Sequence, residues 1–327
     1  MSRHLIIDGH NNFIRCFSVV PTTNSNGVPT GGLFGFLRSL RMFVELCKPD
    51  KIVVVFDGPG GSQKRRAIDK NYKSNRKPIR PAVNADIVDI AENLKWQFAR
   101  LFEYLDDLPV YRLIIDNVEA DDTIAYLTSH FKDGEQIIVS SDKDFYQLLD
   151  DKVKIYNAMK KLFFTKEDCI KQFNIHPHNF VIAKAIVGDG SDNLHGVKGN
   201  GYKNVLKYFP FLSSEDKLSI NDIEKFSEEK CIDQKNIKYQ KFLDAKENIR
   251  QNYQLMQLEE TIISLQGIKK IDDILMNAAR LNMTGFKLKL MEDGISSISD
   301  RNFFDSFKYL VNRGNDGQPT TENSKVR

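Results

Sequence analysis

Val118-Glu119-Ala120-Asp121-Asp122 is the stretch on which the fold turns. It follows an apolar run, Tyr111-Arg112-Leu113-Ile114-Ile115. A second run, Ile137-Ile138-Val139, soon leads into Ser140-Ser141-Asp142-Lys143-Asp144. Carboxylates this close repel, by about 1 kcal/mol at ~4 Å in water and several times that where partly buried. A bound divalent cation is the commonest compensation. The spacing predicts a helix over Asp121–His130, with Glu119 and Asp122 on one face at i,i+3 and acids favourably placed in its first turn.

Two more apolar runs end the same way. Leu5-Ile6-Ile7 runs into Asp8-Gly9, and Ile52-Val53-Val54-Val55-Phe56 runs into Asp57-Gly58. Both read as buried strands. Between them Leu33, Phe36, Leu37, Leu40 and Val44 mark a helix over Gly31–Glu45. Strand and helix alternate through about residue 165, which predicts a mainly parallel α/β sheet flanked by helices. The carboxyl ends of parallel strands share one edge, where open α/β sheets bind ligands. One aspartate at a strand exit is ordinarily a helix cap. Four such exits, two with several acids, point instead to a site that gathers Asp8, Asp57, Glu119, Asp121, Asp122, Asp142 and Asp144.

Ser62–Arg80 carries eight basic residues against one acid and almost no apolar ones, so it reads as a solvated, mobile basic element. Ala82–Leu105 has the pattern of a long amphipathic helix, with Ile87, Ile90, Leu94, Phe98, Leu101 and Leu105 inward. Val153–Tyr156 and Lys161–Phe164 suit a peripheral hairpin. Further helices are expected at Thr165–Phe173, Asn179–Val187, Tyr202–Tyr208, Asn221–Glu229, Gln234–Leu258, Ile271–Arg280 and Asn302–Val311. The expected organisation is an α/β domain over 1–175 with a basic arch at about 58–105. A helical region follows over 176–312, then a disordered tail over 313–327.

Gly188-Asp189-Gly190-Ser191-Asp192-Asn193 adds Asp189 and Asp192 to the acids. Gly196-Val197-Lys198-Gly199-Asn200-Gly201-Tyr202-Lys203 follows directly and resembles the hairpin of a helix-hairpin-helix element, within about 185–210. In such a hairpin, glycines such as Gly199 and Gly201 let backbone N–H groups approach phosphates, and Lys198 and Lys203 add charge.

The chain has 327 residues, 41% hydrophobic and 28% charged, enough for one large or two ordinary cores. Its formal net charge of +3 is too small to name a partner, so local clustering carries that signal. Cys16, Cys47, Cys169 and Cys231 are scattered and read as reduced thiols of a cytoplasmic protein. No run approaches a membrane span or a signal peptide. Carboxylates without histidine or cysteine partners suit Mg²⁺ or Mn²⁺. Two such ions ~4 Å apart would clamp the attacking and leaving oxygens of a phosphoryl displacement. With a basic element and a phosphate-binding hairpin, the residues describe a metal-dependent phosphodiesterase acting on DNA or RNA.

Taken together, Ile7-Asp8-Gly9, Val55-Phe56-Asp57-Gly58, Tyr72-Lys73-Ser74-Asn75-Arg76, Val118–Asp122, Ser141-Asp142-Lys143-Asp144-Phe145 and Gly188–Gly201 resemble the 5′-nuclease superfamily of flap endonucleases and 5′–3′ exonucleases. The resemblance covers roughly residues 4–210 and is strongest to the bacterial and phage branch, which includes the phage enzyme called RNase H. It implies a PIN-like sheet with a helical arch, that Asp8, Asp57, Glu119 and Asp121 hold one Mg²⁺, and that Asp142, Asp144, Asp189 and Asp192 hold or surround a second, with Asp121 or Asp122 between. It implies that Lys73 and Arg76 contact the scissile phosphate, that Tyr72 stacks on a terminal base, and that the hairpin grips duplex DNA with a K⁺ held by backbone carbonyls. Implied partners are DNA with a 5′ end or flap, an RNA–DNA hybrid, and a single-stranded-DNA-binding protein or sliding clamp. The implied protein is a monomer of the bacterial or phage-infected cytoplasm that removes RNA primers and flaps in replication. Asn200 departs from the pattern, standing where the family places an apolar residue, and Gly58–Asn71 matches poorly. The competing reading is a non-catalytic junction binder retaining the fold, against which the full acid set argues.

Overall fold

The structure, a computed structural model, describes residues 2–83, 89–233, 237–259, 262–296, 298 and 301–315. Strands β1 (Arg3–Asp8), β2 (Lys51–Asp57), β3 (Tyr111–Ile115), β4 (Glu135–Val139), β5 (Val153–Asn157) and β6 (Leu162–Phe164) form one sheet in the order β3-β2-β1-β4-β5-β6. Strands β4 and β5 are parallel, with Ile138 opposite Ile155. Strands β5 and β6 are antiparallel, with Tyr156 opposite Phe163, which is the expected hairpin. The fold is therefore the mostly parallel sheet with flanking helices and a helical C-terminal region read from the strand–helix alternation.

The helices in chain order are α1 (Gly9–Val19), α2 (Gly31–Cys47), α3 (Gln63–Ile68), α4 (Ile90–Asp106), α5 (Ala120–His130), α6 (Lys166–Phe173), α7 (Pro177–Val187), α8 (Tyr202–Tyr208), α9 (Ile220–Asp233), α10 (Gln240–Asp244), α11 (Lys246–Met256), α12 (Leu265–Met276), α13 (Met283–Glu292) and α14 (Arg301–Asn315). A two-residue ribbon, β7 (Gly188–Asp189) and β8 (Leu194–His195), follows α7. No helix is long and apolar enough to cross a membrane among the described residues.

The chain divides into two compact units, one of residues 2–54, 79–113 and 268 onward, the other of residues 55–78 and 114–267. In the first, α1 and α2 bury Phe13, Phe17, Phe36, Leu37 and Phe43. They approach closely because Gly31 has no side chain: a Cβ there would stand 2.0 Å from the Val20 carbonyl oxygen. Tyr104 of α4 meets Phe286 of α13 edge-on at 4.8 Å, and its hydroxyl donates to Asp293 at 2.8 Å.

Three expectations change here. On α4 the expected Leu101 and Leu105 are buried, and Phe98, half-buried, packs on Phe13 with centroids 3.9 Å apart. But the helix also buries Asn93, Gln97 and Tyr104, Leu94 is only half-buried, and Ile87 lies outside the described residues. The reason is polar. Gln97, fully buried, accepts from the Leu33 amide at 3.0 Å and donates to the Pro29 carbonyl at 2.8 Å, and Asn93 donates to the same carbonyl at 3.0 Å. These side chains satisfy backbone groups that burial would otherwise leave unpaired. Helix α13 was not expected, because its apolar residues keep no clean period; its signal is the cap, Asn282 accepting from the Gly285 amide at 3.0 Å. Helix α14 continues to Asn315, into the span expected as tail, whose remaining residues lie outside those described.

In the second unit, α7 buries Phe180, Val181, Ile182, Ala183, Ala185 and Ile186. Asn252 of α11 ties it down, donating to the Ala185 carbonyl and to the His195 carbonyl, each at 2.9 Å. The single helix expected over Gln234–Leu258 is broken: α10 ends at Asp244 and α11 begins at Lys246, around Ala245. The break lets Phe242 join Tyr208, Phe209 and Tyr239 in an aromatic cluster, its ring centroid 4.9–6.3 Å from theirs.

Candidate active site

Glu119 precedes α5 but does not cap it with its side chain. Its carboxylate accepts instead from three groups of residues 65–73. Arg65 Nη1 lies at 2.8 Å, Lys73 Nζ at 3.0 and 3.1 Å from the two oxygens, and the Tyr72 hydroxyl at 3.2 Å. Asp122, one helical step on, takes Arg65 in a fork, Nη1 to Oδ2 at 2.7 Å and Nη2 to Oδ1 at 3.2 Å. The i,i+3 face read from the sequence is thus the face that receives Arg65. The third guanidinium nitrogen, Nε, reaches the Leu255 carbonyl at 2.9 Å.

Glu119, Asp122 and Arg65 are all buried. Burial opposes the Arg65 charge, but the carboxylates of Asp122 and Glu119 outweigh it and raise its affinity for the proton. Burial pushes the Asp122 carboxyl above its usual value, a shift that the Arg65 guanidinium opposes without cancelling. Lys73 behaves alike: burial works against its ammonium, and Asp121, Glu119 and Asp192 together hold its pKa above the usual value. Asp57 Oδ1 accepts from the Ala120 amide at 2.8 Å, which fixes the exit of β2 against the start of α5.

A second group forms around Lys184, a buried lysine on α7 that pairs with Asp144 and, at 2.7 Å, with Asp189. Burial would raise Asp189, but Lys184 and hydrogen bonds from Lys184 and Ser191 hold it below the ordinary carboxylate range. Asp142 Oδ1 accepts from the Asp144 amide at 2.9 Å, turning the chain from β4 into a 3₁₀ turn over Asp144–Leu148.

Residues 71–76 join the two groups. The Lys73 amide donates to the Asp192 carbonyl at 3.0 Å, Arg76 pairs with the Asp192 carboxylate at 2.9 Å, and Asn75 donates to the Gly190 carbonyl at 2.8 Å. Lys73 adopts φ 57°, a left-handed conformation that costs a non-glycine residue about 1–2 kcal/mol. Those contacts hold it there.

Several expectations are corrected by this geometry. The basic segment is not solvated throughout, since Arg65 and Tyr72 are 6% and 3% exposed. Tyr72 is packed inside the unit with its hydroxyl on Glu119, and the ring is not presented for base stacking. Asp122, expected as a metal ligand, has both oxygens on Arg65. Arg65 and Lys184 were not singled out in the sequence. Lys184 had a signal, a lone cation inside the apolar run Phe180–Val187. Arg65 had none that set it apart from its basic neighbours.

Among the described residues no three acids, histidines or cysteines stand together as an ion-holding group. Arg65, Lys73, Arg76 and Lys184 compensate the acids instead. The donors present are all carboxylates, which suit hard divalent cations. Asp8 belongs to the other unit, at the end of β1, where it accepts from the Asn11 amide at 3.0 Å and caps α1. In the hairpin, Val197 and Asn200 are buried, while Lys198, Gly199, Gly201 and Lys203 are exposed. Gly199 has φ +78°, which favours glycine, and nothing lies within 4 Å of where a Cβ would stand at Gly199 or Gly201.

A mostly parallel sheet with carboxylates at strand exits, a basic segment on those carboxylates and an exposed glycine hairpin define the class: a flap-endonuclease-like nuclease fold. The chain belongs to the 5′-3′ exonuclease family, since the family model for the 5′-3′ exonuclease N-terminal resolvase-like domain matches residues 3–174. It is 36% identical over 227 residues to the 5′-3′ exonuclease of Aquifex aeolicus (strain VF5), across 68% of this chain and 74% of that one. It is 33% identical over 226 residues to DNA polymerase I of Caldicellulosiruptor bescii, across 66% of this chain but 25% of that one. Among solved structures, T5 5′-exonuclease with bound zinc superposes with a TM-score of 0.64 at 21% identity, covering 84% of this chain and 98% of that one. The bacteriophage T5 flap endonuclease in complex with DNA and metal ions gives 0.61 at 20% identity, covering 90% and 100%. At these identities the likeness to the T5 structures is one of fold. The family resemblance read from the scattered motifs is borne out.

Proposed function

We propose that the chain is a metal-dependent 5′ nuclease that hydrolyses phosphodiester bonds at free 5′ ends, flaps or nicks of DNA and of RNA–DNA hybrids, and so removes RNA primers and flaps in replication. The observation that carries this reading is the acid set at the exits of β2, β3 and β4, matched by cations from residues 65–76 and from Lys184. Asp57, Glu119, Asp121, Asp142, Asp144, Asp189 and Asp192 are the proposed ligands of two Mg²⁺ ions, for which Mn²⁺ would substitute, and the family resemblance adds Asp8. When bound, the ions supply Lewis acidity at the phosphate. Lys73 and Arg76, now paired with Glu119 and Asp192, exchange those carboxylates for the phosphate oxygens and stabilise the charge that develops there. Arg65 stays on Asp122 and holds the first turn of α5 in place. Lys198, Lys203 and the amides around Gly199 and Gly201 hold the duplex backbone. The T5 flap endonuclease complex with DNA and metal ions supports the substrate class.

A panel of end-labelled flap, nicked, blunt-duplex and RNA–DNA hybrid substrates, each with a free or a blocked 5′ end, tests the reading. Cleavage is expected near the 5′ end and only where that end is free. Equal cleavage of blocked and free substrates would contradict it.

A further inference from the structure

The family resemblance places a K⁺ on the backbone carbonyls of the helix-hairpin-helix turn, and in this chain the turn carbonyls of Val197, Lys198, Gly199 and Gly201 already accept hydrogen bonds. The Val197 carbonyl accepts from the Asn200 backbone amide at 3.2 Å and from Asn200 Nδ2 at 3.1 Å. The Lys198 carbonyl accepts from Asn200 Nδ2, also at 3.1 Å. The Gly199 carbonyl accepts from Asn204 Nδ2 at 3.0 Å, and the Gly201 carbonyl from the Asn204 and Val205 amides at 2.9 and 3.0 Å. Asn200 is 6% exposed, so its amide must be satisfied by the protein. Its Oδ1 accepts from Lys241 Nζ at 2.9 Å. Only this orientation of the amide works. The reverse would set its oxygen against two carbonyl oxygens and its NH₂ against an ammonium.

Lys241 is a cation delivered from α10. Its Nζ lies 4.3 Å from the Tyr208 ring centroid and 4.9 Å from that of Phe242, both within cation–π range. It reaches the hairpin because the break at Ala245 turns α10 onto the aromatic cluster. Asn200 stands where the family has an apolar residue, and a leucine there would leave the carbonyls of Val197 and Lys198 without these donors. Four turn carbonyls thus already carry protein donors, with the Lys241 ammonium behind Asn200, so a K⁺ here would compete with donors that the chain itself supplies.

We propose that the amides of Asn200 and Asn204, with the Lys241 ammonium behind Asn200, do in this chain what a bound monovalent cation does elsewhere. They fix the turn at residues 196–201 so that its backbone N–H groups stay turned towards a phosphate. The hairpin's order, and its hold on DNA, are then indifferent to which monovalent cation is present. The second clause rests on the proposed DNA-binding role; the first does not.

Amide hydrogen exchange of the 327-residue chain, read on the segment 196–204 in KCl and in tetramethylammonium chloride at equal ionic strength, tests this without DNA. Exchange in the two salts is expected to agree within about twofold, since neither cation enters the turn. Slowing of about tenfold or more in KCl would overturn the proposal. The Lys241→Met variant is expected to exchange faster in this segment by about tenfold while its overall unfolding midpoint stays near that of the wild type. Unchanged exchange in that variant would remove Lys241 from the account. In parallel, the affinity for a 5′-flap duplex is expected to match in the two salts within about twofold, both being monovalent. If Lys198→Ala/Lys203→Ala leaves that affinity untouched, the DNA-binding role of the hairpin fails, and the exchange data still decide the cation question.

Discussion

Arg65→Leu is expected to lower the free energy of unfolding by about 3–5 kcal/mol, the range for removing one partner of a buried ion pair. The wild-type guanidinium makes two bonds to Asp122, one to Glu119 and one to the Leu255 carbonyl. Leucine fills part of the volume and satisfies none of these groups. Lys73 still faces Glu119, but neither oxygen of Asp122 keeps its partner. The midpoint and slope of urea unfolding, followed by circular dichroism, measure the loss. The double variant Arg65→Leu/Asp122→Leu is expected to recover much of it, because the orphaned charge is then gone. A loss below about 1 kcal/mol in the single variant would mean that water or movement rescues the acids, against the burial seen here.

Asp144→Asn is expected to leave DNA affinity within about threefold of wild type while cleavage falls by about a hundred- to a thousandfold, the scale for losing one group that acts on transition-state charge. Asp144 is buried and pairs with Lys184. Asparagine keeps its shape, and Asp189 remains at 2.7 Å to hold the Lys184 charge. The fold should therefore survive, and the deficit should appear in the chemical step. Single-turnover cleavage beside a binding titration in Ca²⁺ separates the two terms. Near-wild-type turnover would contradict the assignment of Asp144 to the metal set, and a parallel collapse of binding would make it structural.

The strands were legible because short β-branched runs ending in acids are hard to read otherwise, and the hairpin of β5 and β6 followed from the same pattern. The pairing of Glu119 with Asp122 was legible as a shared helix face. Their partner was not, since eight cations between Ser62 and Arg80 look alike until packing selects Arg65 and leaves others in water. The polar part of the inward face of α4 escapes the apolar pattern for a related reason: Asn93 and Gln97 count as polar in any periodicity, yet backbone groups at Pro29 and Leu33 make them core residues. The continuous pattern over Gln234–Leu258 hid a break at Ala245, because both pieces keep helical spacing and only the aromatic cluster shows why they part. Asn200 was visible as a departure from the family pattern, and its meaning came from Lys241, forty-one positions away.

The most direct test of the central claim is cleavage of a 5′-end-labelled flap duplex by the wild-type protein. With Mg²⁺, a labelled fragment ending near the flap junction should be released, and with EDTA none should appear. Protein that binds this duplex and yields no fragment in either Mg²⁺ or Mn²⁺ would contradict the account.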